Sequence, residues 1–414
     1  MIQQRQPTLS SVRRDAWVEV DLAAIEKNLA IVTSFLTADN KVNSENLPNS
    51  STKTKIMAVV KSDAYGHGSL PVAEMLVALG VDWLGVASVD EACQLRALES
   101  KPPILILGPA PSWAVKTAIE ADLNMTVTSL TELKDISATA TRMKRAAQVN
   151  IKVDTGMHRL GVLPGSLIEM LDVVKCDHNL KLVSIFSHLA MAADPDATAQ
   201  QNSVFNECIR KARSYIKEPF ITHMASSDAV KAFPDTHCDM VRVGIHLYGL
   251  EAKKDSDFLH PAMSVRARIN HTQEIEAGES AGYNYTWTAK RPSRLASIPI
   301  GYADGVDRGL SNRMTCLLMG KTIPQVGIIS MDQMLVDITD VPQAQEGDVI
   351  TLIGSEQGQG AFVDGKTSSL PTLSLATWAG MLDTITYELA CRLRVRLPRI
   401  YTRHRAAPFT TGDK

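Results

Sequence analysis

Residues 55–92 read KIMAVVKSDAYGHGSLPVAEMLVALGVDWLGVASVDEA. The stretch opens on a short apolar run, Lys55–Val60. A helical segment follows, opened by Pro71 and closed by Gly80, the usual asymmetry of helix ends. A second apolar run, Trp83–Ala87, passes straight into Ser88-Val-Asp-Glu91, which reads as a capping box. Strand, helix, strand and a new helix start within forty residues describe a parallel βαβ unit.

The same alternation continues outward from this unit. Further strands are expected at Pro103–Leu107, Met125–Thr128, Val149–Asp154, Leu182–Ser187, Phe220–Ala225 and Met240–Ile245, and Ser129-Leu-Thr-Glu132 is a second capping box after a strand. Eight such units favour a closed barrel over an open, doubly wound sheet. After about residue 260 the pattern changes to strands such as Leu295–Ile300, Gln333–Ile338 and Asp348–Ile353, with a helix around Leu373–Leu393. The expected fold class is therefore α/β: an N-terminal (β/α)8 TIM-like barrel followed by a mainly β C-terminal domain. The expected boundaries are a polar tail at 1–15, the barrel at 16–260 and the β domain at 261–414. Trp17–Val20 could instead join the second domain's sheet. Two polar stretches, Thr37–Thr54 and Ser355–Ser369, read as surface loops.

At 414 residues the chain can hold two domains, and its 45% hydrophobic and 21% charged residues are ordinary for a globular protein. A formal net charge of -2 gives no footprint for nucleic acid or an anionic membrane. Arg392, Arg394 and Arg396 alternate with apolar residues, which reads as a strand with one solvated face. No apolar run reaches the length of a membrane span. The opening MIQQRQPTLSSVRRD lacks the apolar stretch of a secretory signal, so a cytoplasmic location is expected. The six cysteines show neither CxxC nor metal-ligand spacing, so reduced thiols and no metal site are expected.

In a barrel, chemistry collects at the C-terminal ends of the strands. Lys61 directly follows the first strand and shares the parity of Met57 and Val59, so it can continue the inner face. A desolvated lysine there can lose its proton and form a Schiff base with an aldehyde. From position alone, a rim lysine reaching out to water reads the same way. The ends of the seventh and eighth strands offer Ser227 and the pair Gly244-Ile245, where barrels often bind phosphate. A lysine opposite a phosphate site suggests an aldehyde with a phosphate handle, which pyridoxal phosphate satisfies. On the fifth strand Lys152 and Asp154 share one parity. Either this polar pair lies inside the barrel or the strand has an unusual register. His188 ends the sixth strand and Arg242 lies in the eighth.

Eight blocks containing these residues closely resemble the alanine racemases, in the family's own order and over nearly the whole chain. They are VVKSDAYGHG (59–68), KVDTGMHRLG (152–161), FSHLAMAAD (186–194), RVGIHLYG (242–249), AGYNYTW (281–287), IPIGYADGVDR (298–308), ISMDQ (329–333) and TITYE (384–388). The resemblance implies an amino-acid racemase using pyridoxal 5'-phosphate, interconverting L- and D-alanine through an external aldimine by a two-base mechanism. Lys61 would carry the cofactor and act as one acid/base. Tyr283 would be the other, reaching the site from the neighbouring subunit of a homodimer. Tyr65, Ser227, Gly244, Ile245 and Tyr387 would hold the phosphate, and Arg242, linked to His188, would face the pyridine nitrogen. Arg159 would serve the cofactor phenolate and the substrate carboxylate, the Met331 backbone that carboxylate too, and Tyr302 the entrance. Lys152 matches a position carbamylated in many members. The implied role is D-alanine supply for peptidoglycan.

Three residues depart from the family pattern: His158 where glycine is usual, and Asp63 and Ser226 where asparagine is common. The competing readings are a serine or broad-specificity racemase, a pyridoxal-phosphate decarboxylase on the same barrel, and a non-enzymatic pyridoxal-phosphate carrier. The last two have no need of Tyr283.

Overall fold

The structure, a computed structural model, describes residues 13–39, 53–250, 259–356, 362–363, 366–367, 371–393 and 396–403. Two compact units emerge. One comprises Met1–Asn28, Tyr65–Gly68 and Tyr248–Lys414; the other comprises Leu29–Ala64 and Ser69–Leu247.

After β1 (Ala16–Asp21), the next eight strands belong to the second of these units: β2 (Lys55–Val59), β3 (Trp83–Val86), β4 (Ile104–Pro109), β5 (Asn124–Val127), β6 (Ala147–Lys152), β7 (Leu180–Phe186), β8 (Ile221–His223) and β9 (Met240–Val243). Each of β2 to β7 pairs in parallel with the next, and β9 pairs in parallel back onto β2. Asp239 N–H donates to Thr222 O and Arg242 N–H to Ala225 O, so β8 and β9 bring the ring close to closure. All eight expected strands are present, and the (β/α)8 reading is borne out.

Side-chain alternation places Met57, Trp83, Leu105, Phe186 and Met240 in one buried cluster. Deleting a ring such as that of Phe186 from this cluster would cost about 3–5 kcal/mol. β6 shows why its parity was ambiguous: Lys152 does lie inside, and the β6–β7 register also shifts between Val149 and Asn150.

Both capping serines act as expected. Ser88 Oγ accepts the Glu91 N–H and Ser129 Oγ accepts the Glu132 N–H, at 3.3 and 3.2 Å. The glutamate halves differ from the reciprocal box. Each carboxylate passes its own N-cap and takes the N–H one residue earlier, that of Ala87 or Thr128.

The other unit is built on a nine-stranded sheet. Its strands lie in the order His271–Ile275, Ser293–Ile298, Met334–Asp337, Lys321–Val326, Thr315–Leu318, Val349–Ile353, Met263–Arg268, β1 and Arg399–Thr402. β1 pairs antiparallel with Met263–Arg268 and parallel with Arg399–Thr402. The segment read as one helix is two, Leu375–Leu382 and Thr386–Arg392, separated at Asp383 by a left-handed residue with φ 52°. The latter helix overturns the strand reading of the basic run. Arg392 closes it, paired with Asp307 and Glu388, while Arg396 pairs with Asp332 and Asp304. Arg394 lies outside the described residues. Helix Leu22–Asp39 takes up the start of the first polar stretch, most of which lies outside the described residues. In the second stretch, Phe362–Val363 pairs with Lys366–Thr367.

Candidate active site

Lys61 leaves β2 into an unusual turn. Ser62, Asp63, Ala64 and Tyr65 all have φ between 52° and 55°, the left-handed region. For residues bearing a Cβ this costs roughly 1–2 kcal/mol each, so the turn needs external support. Ala64 N–H returns to Val60 O at 2.9 Å, and Asp63 Oδ1 accepts from Ser69 N–H at 2.7 Å. The Ser62 N–H is taken by Glu91 Oε1 at 2.8 Å. The aspartate that replaces the family's common asparagine keeps an acceptor where the turn uses one.

Arg242 projects from β9 into the barrel and is buried. It donates to Ser187 O at 2.7 Å and Met224 O at 3.0 Å, to His223 Nδ1 at 2.9 Å and to His188 Nδ1 at 3.0 Å. A guanidinium offers no acceptor, so both Nδ1 atoms must be unprotonated and both histidines carry their proton on Nε2. His223 Nε2 lies 3.0 Å from Ser184 Oγ, which donates in turn to Asn150 Oδ1 at 2.7 Å. The buried chain from Arg242 to Asn150 thus has one direction, set by the arginine. His223 stacks on Phe186 with centroids 4.6 Å apart.

Around this arginine the rim is cationic. Burial, then Arg242, Lys152, Arg159 and Lys61, push the His188 imidazole down to about 3, so it is neutral. Burial, then Arg159 and Arg242, lower Lys152 to about 8, with Asp154 opposing them and Lys61 adding to them. Burial lowers Arg242 itself to about 10, leaving it charged at neutral pH. Lys61, Lys152, Arg159, His188 and Arg242 are therefore brought together, as one field that favours anions.

The turn bearing Arg159 explains the departure at His158, whose φ is 53°. Glycine enters that region without steric cost; here the backbone keeps the conformation and the imidazole finds a partner. Asp154 Oδ1 accepts the N–H groups of Gly156 and His158 at 3.0 Å each, and His158 Nδ1 lies 3.3 Å from Asp154 Oδ2. Burial alone would raise the Asp154 pKa. The two backbone donors and His158 outweigh it and hold the carboxyl below 3.8. Gly161, with φ 133°, closes the turn at a point where a Cβ would sit 2.7 Å from Asp154 N.

Ser227 and Gly244 also meet, the Gly244 N–H donating to Ser227 Oγ at 3.0 Å. The serine proton remains available to donate, and Ile245 begins the short 3-10 turn that follows.

In the unit containing the β sheet, Tyr65 lies on Tyr248 with centroids 5.2 Å apart, and His67 lies on the same ring at 4.7 Å. Burial, then Cys391 and Tyr387, raise the Tyr65 pKa, placing it beside Tyr387. Arg399 donates to Gly66 O and Leu393 O, tying the Tyr65–Gly68 segment to the end of the helix that carries Tyr387. Tyr302 and Met331 are joined through backbone: Tyr302 N–H donates to Ser330 O and Ala303 N–H to Met331 O. Tyr283, 67% exposed, stands on a turn whose next two residues are left-handed. It borders a 420 Å³ cavity with Ser330, the residue before Met331. A 930 Å³ cavity lies elsewhere, along helix Pro195–Tyr215, and holds none of these residues. Among the described residues no cluster of His, Cys, Asp and Glu could hold a metal ion.

Two participants escaped the sequence reading. In the sequence His223 carries no functional signal of its own, because a lone histidine inside an apolar strand reads as core. Glu91 reads in the sequence only as part of a cap. For His223 the available signal was its place in the strand next to the one carrying Arg242.

Residues 20–252 match the family model described as alanine racemase, N-terminal domain, and residues 262–401 match alanine racemase, C-terminal domain. An alanine racemase of Nostoc sp. is 37% identical over 394 residues, covering 93% of this chain and 95% of the relative. The solved alanine racemase of Clostridium difficile superposes with a TM-score of 0.83 at 30% identity, covering 95% of this chain and 97% of that one. That of Bacillus anthracis, solved with bound L-Ala-P, gives 0.81 at 31% identity, covering 95% and 96%. On the match of both family domains and the full-length relatives, this chain belongs to the alanine racemase family.

Proposed function

We propose that the protein is a homodimeric, pyridoxal-phosphate-dependent enzyme that interconverts L-alanine and D-alanine with two bases. The observation that carries this reading is the cationic rim of Lys61, Lys152, Arg159 and Arg242 around a neutral His188. Such a field suits a ligand bearing a phosphate and a substrate bearing a carboxylate, and Lys61 stands in it as the amine for an aldehyde. The donor set therefore fits pyridoxal phosphate. When bound, that group supplies the aldehyde for an amine and a conjugated ring that makes an amino acid's Cα proton acidic.

Each residue then has a task. Lys61 Nζ holds the cofactor and moves the Cα proton on one face; Tyr283 of the partner subunit moves it on the other, so the substrate need not rotate. Ser227, Gly244, Ile245, Tyr65 and Tyr387 take the phosphate. Arg242 would face the ring nitrogen. Its partners are carbonyls and neutral imidazoles, so it stays protonated and keeps that nitrogen unprotonated. An arginine there would restrain electron withdrawal into the ring and so disfavour transamination. His188, with Nδ1 occupied by Arg242, has its Nε2–H left to donate toward the Tyr283 phenolate. Arg159 and the Met331 backbone take the substrate carboxylate, and Tyr302 lines the entrance.

Lys152 is the residue for carbamylation. Its neutral Nζ would attack carbon dioxide, forming the N–C bond and losing a proton. A pKa near 8 leaves more of that neutral form at physiological pH than an ordinary lysine has. The carbamate would turn an internal cation into an anion for Arg159. We place the enzyme in the cytoplasm, supplying D-alanine for peptidoglycan; no described helix is long and apolar enough to cross a membrane.

The test is purified protein with L-alanine in heavy water, followed by NMR and polarimetry, with L-serine in parallel. Rotation should decay to zero as deuterium enters Cα, fastest for alanine. Equal or faster exchange with serine would make it a serine or broad-specificity racemase. Release of carbon dioxide would make it a decarboxylase, and no exchange from cofactor-loaded protein would make it a carrier.

A further inference from the structure

The left-handed turn after Lys61 depends on a residue from outside its own segment. One Glu91 carboxylate accepts two backbone N–H groups, Ser62 at Oε1 and Ala87 at Oε2, both at 2.8 Å. Ser62 follows the end of β2 and Ala87 the end of β3. These strands pair in register up to Val59↔Gly85, and Val60 N–H still reaches Gly85 O at 2.8 Å. Beyond that point the strand ladder supplies no further acceptor. The glutamate side chain takes over, clamping the two strand ends where the chain turns into the disfavoured conformation.

Glu132 provides an internal comparison. It occupies the same position after its own serine cap, and its carboxylate takes the N–H and hydroxyl of Thr128. Those contacts stay within its own loop and touch no neighbouring strand end. The cap chemistry common to both glutamates therefore does not account for the Ser62 contact, which is peculiar to Glu91.

We propose that Glu91 is a positioning residue for Lys61, holding the strained turn so that the lysine's backbone is presented at one fixed point of the barrel rim. The proposal rests on Lys61 being the cofactor lysine. Charge matters because a carboxylate accepts both N–H groups, whereas an amide accepts one and turns a donor toward the other. Without the clamp the turn relaxes toward right-handed conformations and the lysine amine wanders. A displacement of about 1 Å can cost on the order of 10²-fold in rate.

The experiment uses holoenzyme of wild type, Glu91→Gln, Glu91→Ala and Glu132→Ala. Borohydride reduction and peptide mapping locate pyridoxal phosphate. Amide hydrogen exchange reports the 61–65 segment, and kcat and KM are measured with alanine. We expect Glu91→Ala to lower kcat by roughly 10–100-fold with KM changed little, with Glu91→Gln between it and wild type. Exchange at Ser62 should rise in the Glu91 variants alone. Glu132→Ala should lose comparable thermal stability yet keep wild-type kcat, because it removes a cap without touching the turn. A wild-type kcat and unchanged Ser62 exchange in Glu91→Ala would overturn the proposal, as would an equal kcat loss in Glu132→Ala. If wild type itself carries no pyridoxal phosphate on Lys61, the reading of Lys61 falls and this proposal with it. If it does and Glu91→Ala behaves alike, only Glu91 loses its role.

Discussion

Replacing Lys152 by methionine should stabilise the protein when carbon dioxide is excluded. Lys152 is 5% exposed, and burial with Arg159, Arg242 and Lys61 outweighs the attraction of Asp154, taking its pKa from 10.5 to about 8. At about 1.4 kcal/mol per pKa unit, that fall is equivalent to about 3 kcal/mol of native-state destabilisation. The sign follows from proton counts. Between about pH 8 and 10.4 the unfolded chain holds the lysine proton and the native chain does not, so stability rises with pH through that window. Below about pH 8 the penalty is complete. Methionine has similar length and no charge, and Lys152 Nζ already lies 5.9 Å from the Phe186 centroid, a contact a thioether can make. In equilibrium denaturation at pH 7 without carbon dioxide, Lys152→Met should exceed wild type by roughly 2–3 kcal/mol. The gap should shrink toward pH 10. Added bicarbonate at neutral pH should close it, because a carbamate replaces the costly cation with an anion beside Arg159. A variant less stable than wild type at pH 7 without carbon dioxide would refute the reasoning.

Lys61→Ala should abolish both borohydride-fixed cofactor and racemisation; turnover without the lysine would sink its assignment. Tyr283→Phe should keep the cofactor while losing most interconversion, with Cα exchange slowed unequally from the L and D sides. Untouched exchange from both sides would remove Tyr283 as a base. Mixed Lys61→Ala and Tyr283→Phe chains should recover part of the activity through hybrid dimers with one intact site, and no recovery despite subunit exchange would argue against shared sites. Nitrogen-15 NMR should find His223 as the neutral Nε2–H tautomer from pH 5 to 8, since burial and Arg242 hold its pKa well below 6.5. A protonated Nδ1 would contradict the direction of the Arg242 chain.

What could be read from the sequence divides along a physical line. Each barrel strand is specified by its own few residues, so Lys55–Val60 and Trp83–Ala87 could be placed from local pattern alone, and β2 and β3 fall within a residue of them. Lys61, Arg242 and Ser227 could be picked out because a strand end is also a local feature. The left-handed turn could not. In Ser-Asp-Ala-Tyr only the aspartate tolerates positive φ readily, and what sustains the turn lies elsewhere: the Glu91 carboxylate, 29 residues on from Ser62. The same holds for Arg242, whose neutral partners His223 and His188 lie 19 and 54 residues back. In a parallel barrel such pairings depend on the stagger between neighbouring strands, which strand limits known to a residue or two leave open. A one-residue slip between β2 and β3 would oppose Val59 to Leu84 or Val86 in place of Gly85, and carry Glu91 off Ser62. Strand periodicity therefore makes the barrel legible, whereas the site becomes legible only with the register.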